Sequence, residues 1–227
     1  MCSSLTKNAT AYICHWIQKN RLDSFGYFYL TIKIHKLPLS TCPVCSDCAS
    51  LVHPLGKWLD YTLQPIVASQ PFYFKDSFSL KQEIDKLVLP PKFSIITFDA
   101  IAMYTNIDID DSIERITNFF AKFWDEHYCK AVKEAMEIVM RNNWMRFGDL
   151  IFRQICGVAM GMLPAPTIAN LYITIYEHDH IIPLIGKYLM YYKRFIDNGF
   201  AVWLHDENPT TDVKIGMFLK PYTTQWA

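Results

Sequence analysis

Phe195-Ile196-Asp197-Asn198-Gly199 lies between two apolar runs, Tyr188-Leu189-Met190-Tyr191-Tyr192 before it and Phe200-Ala201-Val202-Trp203-Leu204 after it. Asn-Gly between apolar runs is the strongest short hairpin signal, so the stretch predicts a hairpin with Asn198 and Gly199 as its favoured turn pair. An aspartate in a turn is in general simply solvated, yet a hairpin tip is also a place to hold a metal ion. Upstream, Phe93-Ser94-Ile95-Ile96-Thr97-Phe98 reads as a buried strand that ends in Asp99. Two strand ends, each presenting an aspartate, are the pair of elements on which the fold turns.

The rest of the chain can be ordered around that pair. Residues 8–20 suit a short helix, and Tyr27–Ile34 is β-like, rich in aromatic and β-branched residues. Leu37–Ser50 is rich in Pro, Ser and Cys and reads as loop. Leu51, Leu55, Trp58, Leu59, Leu63 and Ile66 keep helical spacing. Ser79 followed by Gln82 resembles a capping box, with Leu80, Ile84 and Leu87 on one face and Pro90-Pro91 closing the helix. After Asp99 a helix of about three turns is expected, with Ile113, Ile116, Phe120 and Phe123 inward. Asp108, Asp110 and Asp111 at its start are read as capping and dipole partners in preference to metal ligands. A second helix over about 129–142 follows, then a hairpin of Trp144–Phe147 and Leu150–Ile155 around Gly148-Asp149. The loop Gly157–Pro166 precedes a helix through Ala169, Leu171, Tyr172, Ile175 and Tyr176, stopped by Pro183. This is an α+β layout with helices on one face of an antiparallel sheet.

Bulk properties set limits. The chain has 227 residues, enough for one or two domains with a sizeable core. No apolar run approaches the ~18–20 residues that span a bilayer, and Met1–Lys7 has no apolar signal core. A nuclear or cytoplasmic setting without membrane is therefore expected, with the seven cysteines as free thiols. Net charge is zero, which argues against a simple basic nucleic-acid-binding domain but leaves local patches open. Candidates are Lys33 with Lys36, Lys193 with Arg194, and Arg141, Arg146 and Arg153; each is as readily an ordinary solvated charge.

Four segments, in order, match a family. Lys33-Ile34-His35-Lys36, Phe98-Asp99-Ala100-Ile101-Ala102-Met103-Tyr104-Thr105-Asn106-Ile107, Ala159-Met160-Gly161 with Pro164-Ala165-Pro166 and Ala169-Asn170-Leu171-Tyr172, and Arg194-Phe195-Ile196-Asp197-Asn198 carry the likeness. Over roughly residues 25–207 the chain resembles reverse transcriptases, most closely Penelope-like retroelements and related reverse-transcriptase-like proteins. The resemblance implies a partial fingers region in residues 1–90 and a polymerase-type palm in residues 91–227. It also implies RNA-directed DNA polymerisation by two divalent metals about 3.5–4 Å apart. Magnesium, with manganese as the alternative, would be held by Asp99 and Asp197 with Asn198 beside them. Tyr104 falls on the aromatic that selects deoxynucleotides, and a core tyrosine is its bland alternative. Met160 and Gly161 would lie beside the incoming base, and Lys33 and Lys36 would touch triphosphate or template. The implied partners are an RNA or DNA template with primer and deoxynucleotide triphosphates.

Four departures qualify the expectation. Asn198 replaces the second aspartate of the last motif, so one negative charge is lost from a site that works by electrostatics. Cys42-Pro43 stands where the family has an arginine before a proline, and a thiol cannot supply the bidentate fork. The chain ends soon after the palm, leaving no room for a full thumb, and no nuclease segment is present. A truncated copy of impaired activity is therefore expected, with a further polypeptide needed for thumb or endonuclease.

Two other classes are open. Cys42, Cys45 and Cys48 have the spacing of a metal or redox module, with His35 or His53 as a fourth ligand. A non-catalytic nucleic-acid binder of the same fold would show salt-sensitive binding without chemistry. A Ser-His-Asp hydrolase is not supported, since no Gly-x-Ser-x-Gly elbow appears, and the sequence has no phosphate-binding Gly-rich loop with Lys-Ser or Lys-Thr. Glu177, His178, Asp179 and His180 read as a polar helix end.

Overall fold

A computed structural model describes residues 7–19, 24–34 and 37–205. His35 and Lys36 lie outside the described residues, as do Met1–Thr6 and the segment after His205. In chain order the elements begin with α1 (Lys7–Lys19), β1 (Gly26–Lys33), β2 (Ser40–Ser46), α2 (His53–Ser69), α3 (Ser77–Ile84) and β3 (Phe93–Asp99). They continue with α4 (Met103–Asn106), α5 (Ile109–Phe120), α6 (Glu126–Arg141), β4 (Trp144–Phe147), β5 (Leu150–Arg153) and α7 (Ala165–Tyr176). A π-helical turn (Glu177–Ile181), α8 (Ile182–Ile185) and a 3₁₀ turn (Gly186–Tyr188) lead to β6 (Leu189–Phe195) and β7 (Asn198–Leu204).

The three-stranded sheet has the order β3-β7-β6, antiparallel throughout. Its register pairs Phe98 with Gly199 and Asp99 with Asn198. On one face Ala201 and Trp203 are fully buried. Beyond that face lies α7, buried from Ala165 to Ile175 on nearly every side except at Pro166. Such a helix is largely apolar all round, and the polar residues it buries are Thr167, Asn170 and Thr174. Helices α5 and α6 complete the layer with Ile113, Ile116, Phe120, Met136 and Val139, each nearly or fully buried. The fold class is the α+β arrangement that the sequence suggests.

The second sheet has the order β2-β1-β4-β5 and is mixed, because β1 and β4 run parallel at Gly26–Met145 and Tyr27–Arg146. Ser40–Ser46, expected to be loop, is its edge strand. Pro43 is tolerated there because an edge position need not donate a ladder hydrogen bond. Strand β5 forms the other edge, and all four of its residues are exposed.

Several local expectations change. β3 is the edge of its sheet and half-exposed, with Ile96 the one buried residue of Phe93–Asp99. The cap of α3 is Asp76, whose carboxylate accepts from the Ser79 N–H at 2.8 Å while the Ser79 hydroxyl receives the Asp76 N–H. Ser79 is thus the third helical residue of the box and not its cap. That helix ends at Ile84, well before Pro90. Phe123 lies past the end of α5 and is exposed. Asp108 caps α5 by accepting from the Asp111 N–H, the role predicted for it.

Candidate active site at the strand ends

The turn between β6 and β7 is Ile196-Asp197, one step earlier than Asn-Gly preference predicts, and Asn198 and Gly199 open β7. Packing explains the shift. A Cβ on Gly199 would lie 1.9 Å from Cζ of Phe98, directly across the ladder. The glycine is needed so that the Phe98 ring can cross β7 and stack on Tyr192. Ile196 takes the left-handed conformation, with φ of 53°. For a β-branched residue this costs on the order of 1–3 kcal/mol and has to be held by its surroundings.

Those surroundings are Arg194 and Ala100. The Arg194 Nη1 donates to the Ile196 carbonyl at 2.7 Å, and the Ala100 N–H donates to the Asp197 carbonyl at 2.8 Å. The second bond runs from the residue after Asp99, so it ties the two aspartates' backbones together. Beyond Asp99 the chain reverses through Ala102, at φ of 50°, into α4, which carries Tyr104.

The electrostatics agree with this proximity. Burial pushes the Asp197 carboxyl up from the ordinary carboxylate range, and the Asp99 charge adds to the rise. Its own backbone N–H, the Asn198 amide and the Lys33 ammonium offset part of the rise. The Asn198 Nδ2 donates to Asp197 Oδ1 at 3.1 Å. Tyr104, half-buried, is pushed up to about 12, first by burial and then by the negative charge of Asp197. Asp99, Asp197, Asn198, Tyr104 and Lys33 therefore act on one locale. Asp99 and Asn198 also line an open cleft of about 450 Å³ with Phe74, Leu80, Thr97 and Phe200.

Met160 and Gly161 sit on the loop before α7. The Met160 carbonyl accepts from the Cys45 N–H at 2.7 Å, and its sulfur meets Cys42 Sγ at 3.8 Å. Gly161, at φ of 103°, is obligatory because a Cβ would lie 2.8 Å from the Cys45 carbonyl oxygen. Its missing side chain serves the approach of β2. At the other end of the loop, the Val158 N–H donates to the Tyr104 carbonyl at 2.7 Å, so the loop joins β2 to α4.

Strand β2 scatters the thiols that looked like a cluster. Residues three apart on a strand face opposite ways. Cys45 is buried against Met145 and Gln154, Cys42 faces Met160, and Cys48 lies exposed beyond the strand. His53, a suggested fourth ligand, pairs with buried Asp47 at 3.2 Å. Among the described residues no group of three His, Cys, Asp or Glu side chains is arranged to hold a metal ion.

Sequence reading missed one element. Arg194, read as half of a surface basic pair, is 2% exposed, and Glu177, read as a polar helix end, is 0% exposed. The two form a bidentate pair at 2.8 and 3.2 Å. Asn170 Oδ1, the Asn170 carbonyl and Thr174 Oγ1 take further guanidinium N–H groups, and the Tyr192 hydroxyl donates to Glu177. The available signal was strand alternation: Lys193 and Arg194 cannot both face water on a strand whose one face is core.

No protein-family model matches the sequence, and no curated protein matches it. Solved structures do. Apo telomerase from Candida tropicalis, truncated from the C-terminal domain, matches with a TM-score of 0.59 and 12% identity over 92% of this chain and 51% of that one. Telomerase from Candida tropicalis in complex with a TWJ fragment of telomeric RNA matches with a TM-score of 0.61 and 12% identity, over 92% and 42%. The corresponding Candida albicans complex matches with a TM-score of 0.61 and 9% identity, over 93% and 43%. The chain spans about half the length of these telomerase chains or less. The likeness shows a reverse-transcriptase-like fold. Among the described residues no helix is long and apolar enough to cross a membrane.

Proposed function

We propose that the chain is a reverse-transcriptase domain of retroelement descent, allied to Penelope-like elements, with partial fingers in residues 1–90 and palm in residues 91–227. Its reaction is RNA-directed DNA polymerisation, impaired by Asn198. The observation that carries this reading is the joining of Asp99 and Asp197 through the Ala100 N–H, with Tyr104 within reach of the Asp197 charge.

The donors fit a hard divalent cation. Two carboxylates share one edge, and burial together with the Asp99 charge raises the Asp197 carboxyl, a shift that a bound cation would oppose. Oxygen donors of this kind suit magnesium or manganese. Asp99 and Asp197 would hold the metal, with Asn198 supplying an uncharged amide oxygen. When bound, the metal supplies charge neutralisation and Lewis acidity for phosphoryl transfer. Tyr104 would rest against the ribose, Met160 and Gly161 beside the base, and Lys33 and Lys36 against triphosphate or template. Primer–template and deoxynucleotide triphosphates are the partners, in the nucleus or cytoplasm. The RNA fragment bound in two of the telomerase structures supports a nucleic-acid partner.

A non-catalytic nucleic-acid binder is the second reading. It is favoured by Asn198, which donates its amide to Asp197 where the family has a second charge. Primer extension on an RNA template with magnesium tests both, using the native chain, Asn198→Asp and Asp99→Ala. Extension by the native chain or by Asn198→Asp, lost in Asp99→Ala, is the expected result. Salt-sensitive RNA binding with no incorporation by any of the three would establish the second reading.

A further inference from the structure

We infer that Arg194 is a positioning residue for Asp197. Held by Glu177, Asn170 and Thr174, it clamps the peptide before the aspartate and fixes where that carboxylate meets Asp99. The inference deepens the proposed site and rests on the reading of Asp197 as a metal ligand.

The turn carrying Asp197 starts at a left-handed isoleucine, a conformation that this residue does not hold unaided. Two hydrogen bonds grip it, one on the peptide that enters Asp197 and one on the peptide that leaves it. The Ile196 carbonyl is taken by Arg194 and the Asp197 carbonyl by Ala100. The Ala100 bond comes from the residue that follows Asp99 at the end of β3. The Arg194 bond belongs to the core. The guanidinium is one rigid plane with five N–H groups, and six contacts take them all: Glu177 at Nε, Asn170 and Ile196 at Nη1, and Asn170, Thr174 and Glu177 sharing the two hydrogens of Nη2. A planar fork saturated in this way has no freedom to turn, so the N–H aimed at Ile196 is aimed once and kept there. The backbone of Arg194 is fixed as well, its N–H donating to the Phe72 carbonyl at 2.7 Å. A buried ion pair is a poor device for stability alone, because apolar residues of similar volume do as well or better. What apolar residues cannot supply is the aimed donor to Ile196.

That contrast gives the experiment. The double variant Arg194→Met with Glu177→Met removes both charges together, so the core keeps its volume without an orphaned ion. Amide exchange is then followed by NMR without metal. The expected result is about tenfold faster exchange of the Ala100 amide, the loss of one hydrogen bond's worth of protection. The Val202 amide, in the middle of β7, stays at the native rate. Unchanged Ala100 exchange in the folded double variant overturns the inference, and so does an equal rise at Val202, which signals general loosening. Should the double variant not fold, Arg194→Lys keeps the charge, loses the fork and is judged by the same two amides. A Mn²⁺ titration read by electron paramagnetic resonance runs in parallel. Weaker binding in the double variant, with binding lost in Asp99→Ala, joins the clamp to the metal site. No binding by the native chain refutes the metal reading and leaves the amide result to decide whether Arg194 positions the turn.

Discussion

Along β6 the side chains divide between two environments, and each holds a cation facing a glutamate. Tyr191 and Lys193 look out toward α3, where the Lys193 ammonium meets Glu83 at 3.2 Å and the Tyr191 hydroxyl donates to the same carboxylate at 2.8 Å. Tyr192 and Arg194 look in toward α7 and the π turn, where Glu177 takes both. The outer glutamate is 44% exposed and the inner one 0%. The residue kinds match on the two faces, a tyrosine and a cation on one acid, and the physics does not. Outside, water competes for every charge and the pair adds little. Inside, neither ion is tolerated without the other. The inner pair is also the one that reaches the Asp197 turn.

The sharpest way to break this contrast is to orphan the inner acid. Arg194→Met alone leaves Glu177 without its counter-charge in the core, and we expect a loss of about 3–5 kcal/mol in urea unfolding. Adding Glu177→Met should recover most of that loss, since coupled partners do not add. A single variant costing no more than a surface substitution would show that water reaches Glu177 and that the two faces are alike.

Gly199 tests the inner face by volume. An added methyl meets the Phe98 ring, which is stacked on Tyr192 and has little room to retreat. Gly199→Ala is expected to cost about 1–3 kcal/mol by overpacking, read as a lower midpoint in thermal unfolding. Phe98→Leu in the same chain should return part of the cost. Loss without any return would place the strain in the backbone of β7 and not in the ring.

Asp197 stands where the two faces end, and its carboxyl is raised by burial and by Asp99. A raised carboxyl means that the folded chain holds the proton more tightly than the unfolded one. Ionisation therefore works against folding: stability falls as pH rises from the unfolded value of 3.8 through the folded value. Asp197→Asn should accordingly stabilise the chain at neutral pH in the presence of a chelator, with the gain vanishing in acid below 3.8. Excess magnesium should narrow the gap by offsetting the charge in the native chain. A midpoint that falls on substitution would mean that the carboxylate is a structural acceptor and not a held charge.

Much of this was legible in the sequence, and the boundary is instructive. Strand β3 ending at Asp99, the helix over Ile109–Phe120 and the β4–β5 hairpin follow from periodicity and turn chemistry, which are local. The pairing of Asp99 with Asp197 came from family motifs in order, and the shared edge gives it a physical form. What failed was non-local. Asn198-Gly199 carries the turn signal, but the Phe98 ring needs that glycine inside the strand, so the turn moved to Ile196-Asp197. Ser40–Ser46 looks like loop until β1 is there to pair with it. Arg194 and Glu177 are polar by type and core by position. Their burial depends on a partner 17 residues away that no local window contains.

The outer face offers the smallest and most discriminating effect. Hydrogen bonding from Tyr191, more than the Lys193 charge, holds the Glu83 carboxyl below its usual range. A lowered carboxyl contributes stability that is present above the unfolded value of 4.5 and lost as pH falls through the lower folded one. Lys193→Ala removes only the lesser of the two partners, at a half-exposed site, so we expect at most about 0.5 kcal/mol at neutral pH, shrinking further in high salt. Tyr191→Phe should cost at least as much and be insensitive to salt, because a hydrogen bond is screened far less than a separated charge. Both effects should fade in acid as Glu83 takes up its proton. If Lys193→Ala instead costs as much as Arg194→Met, the outer pair is as dry as the inner one, and the division of β6 into a wet face and a buried face does not hold.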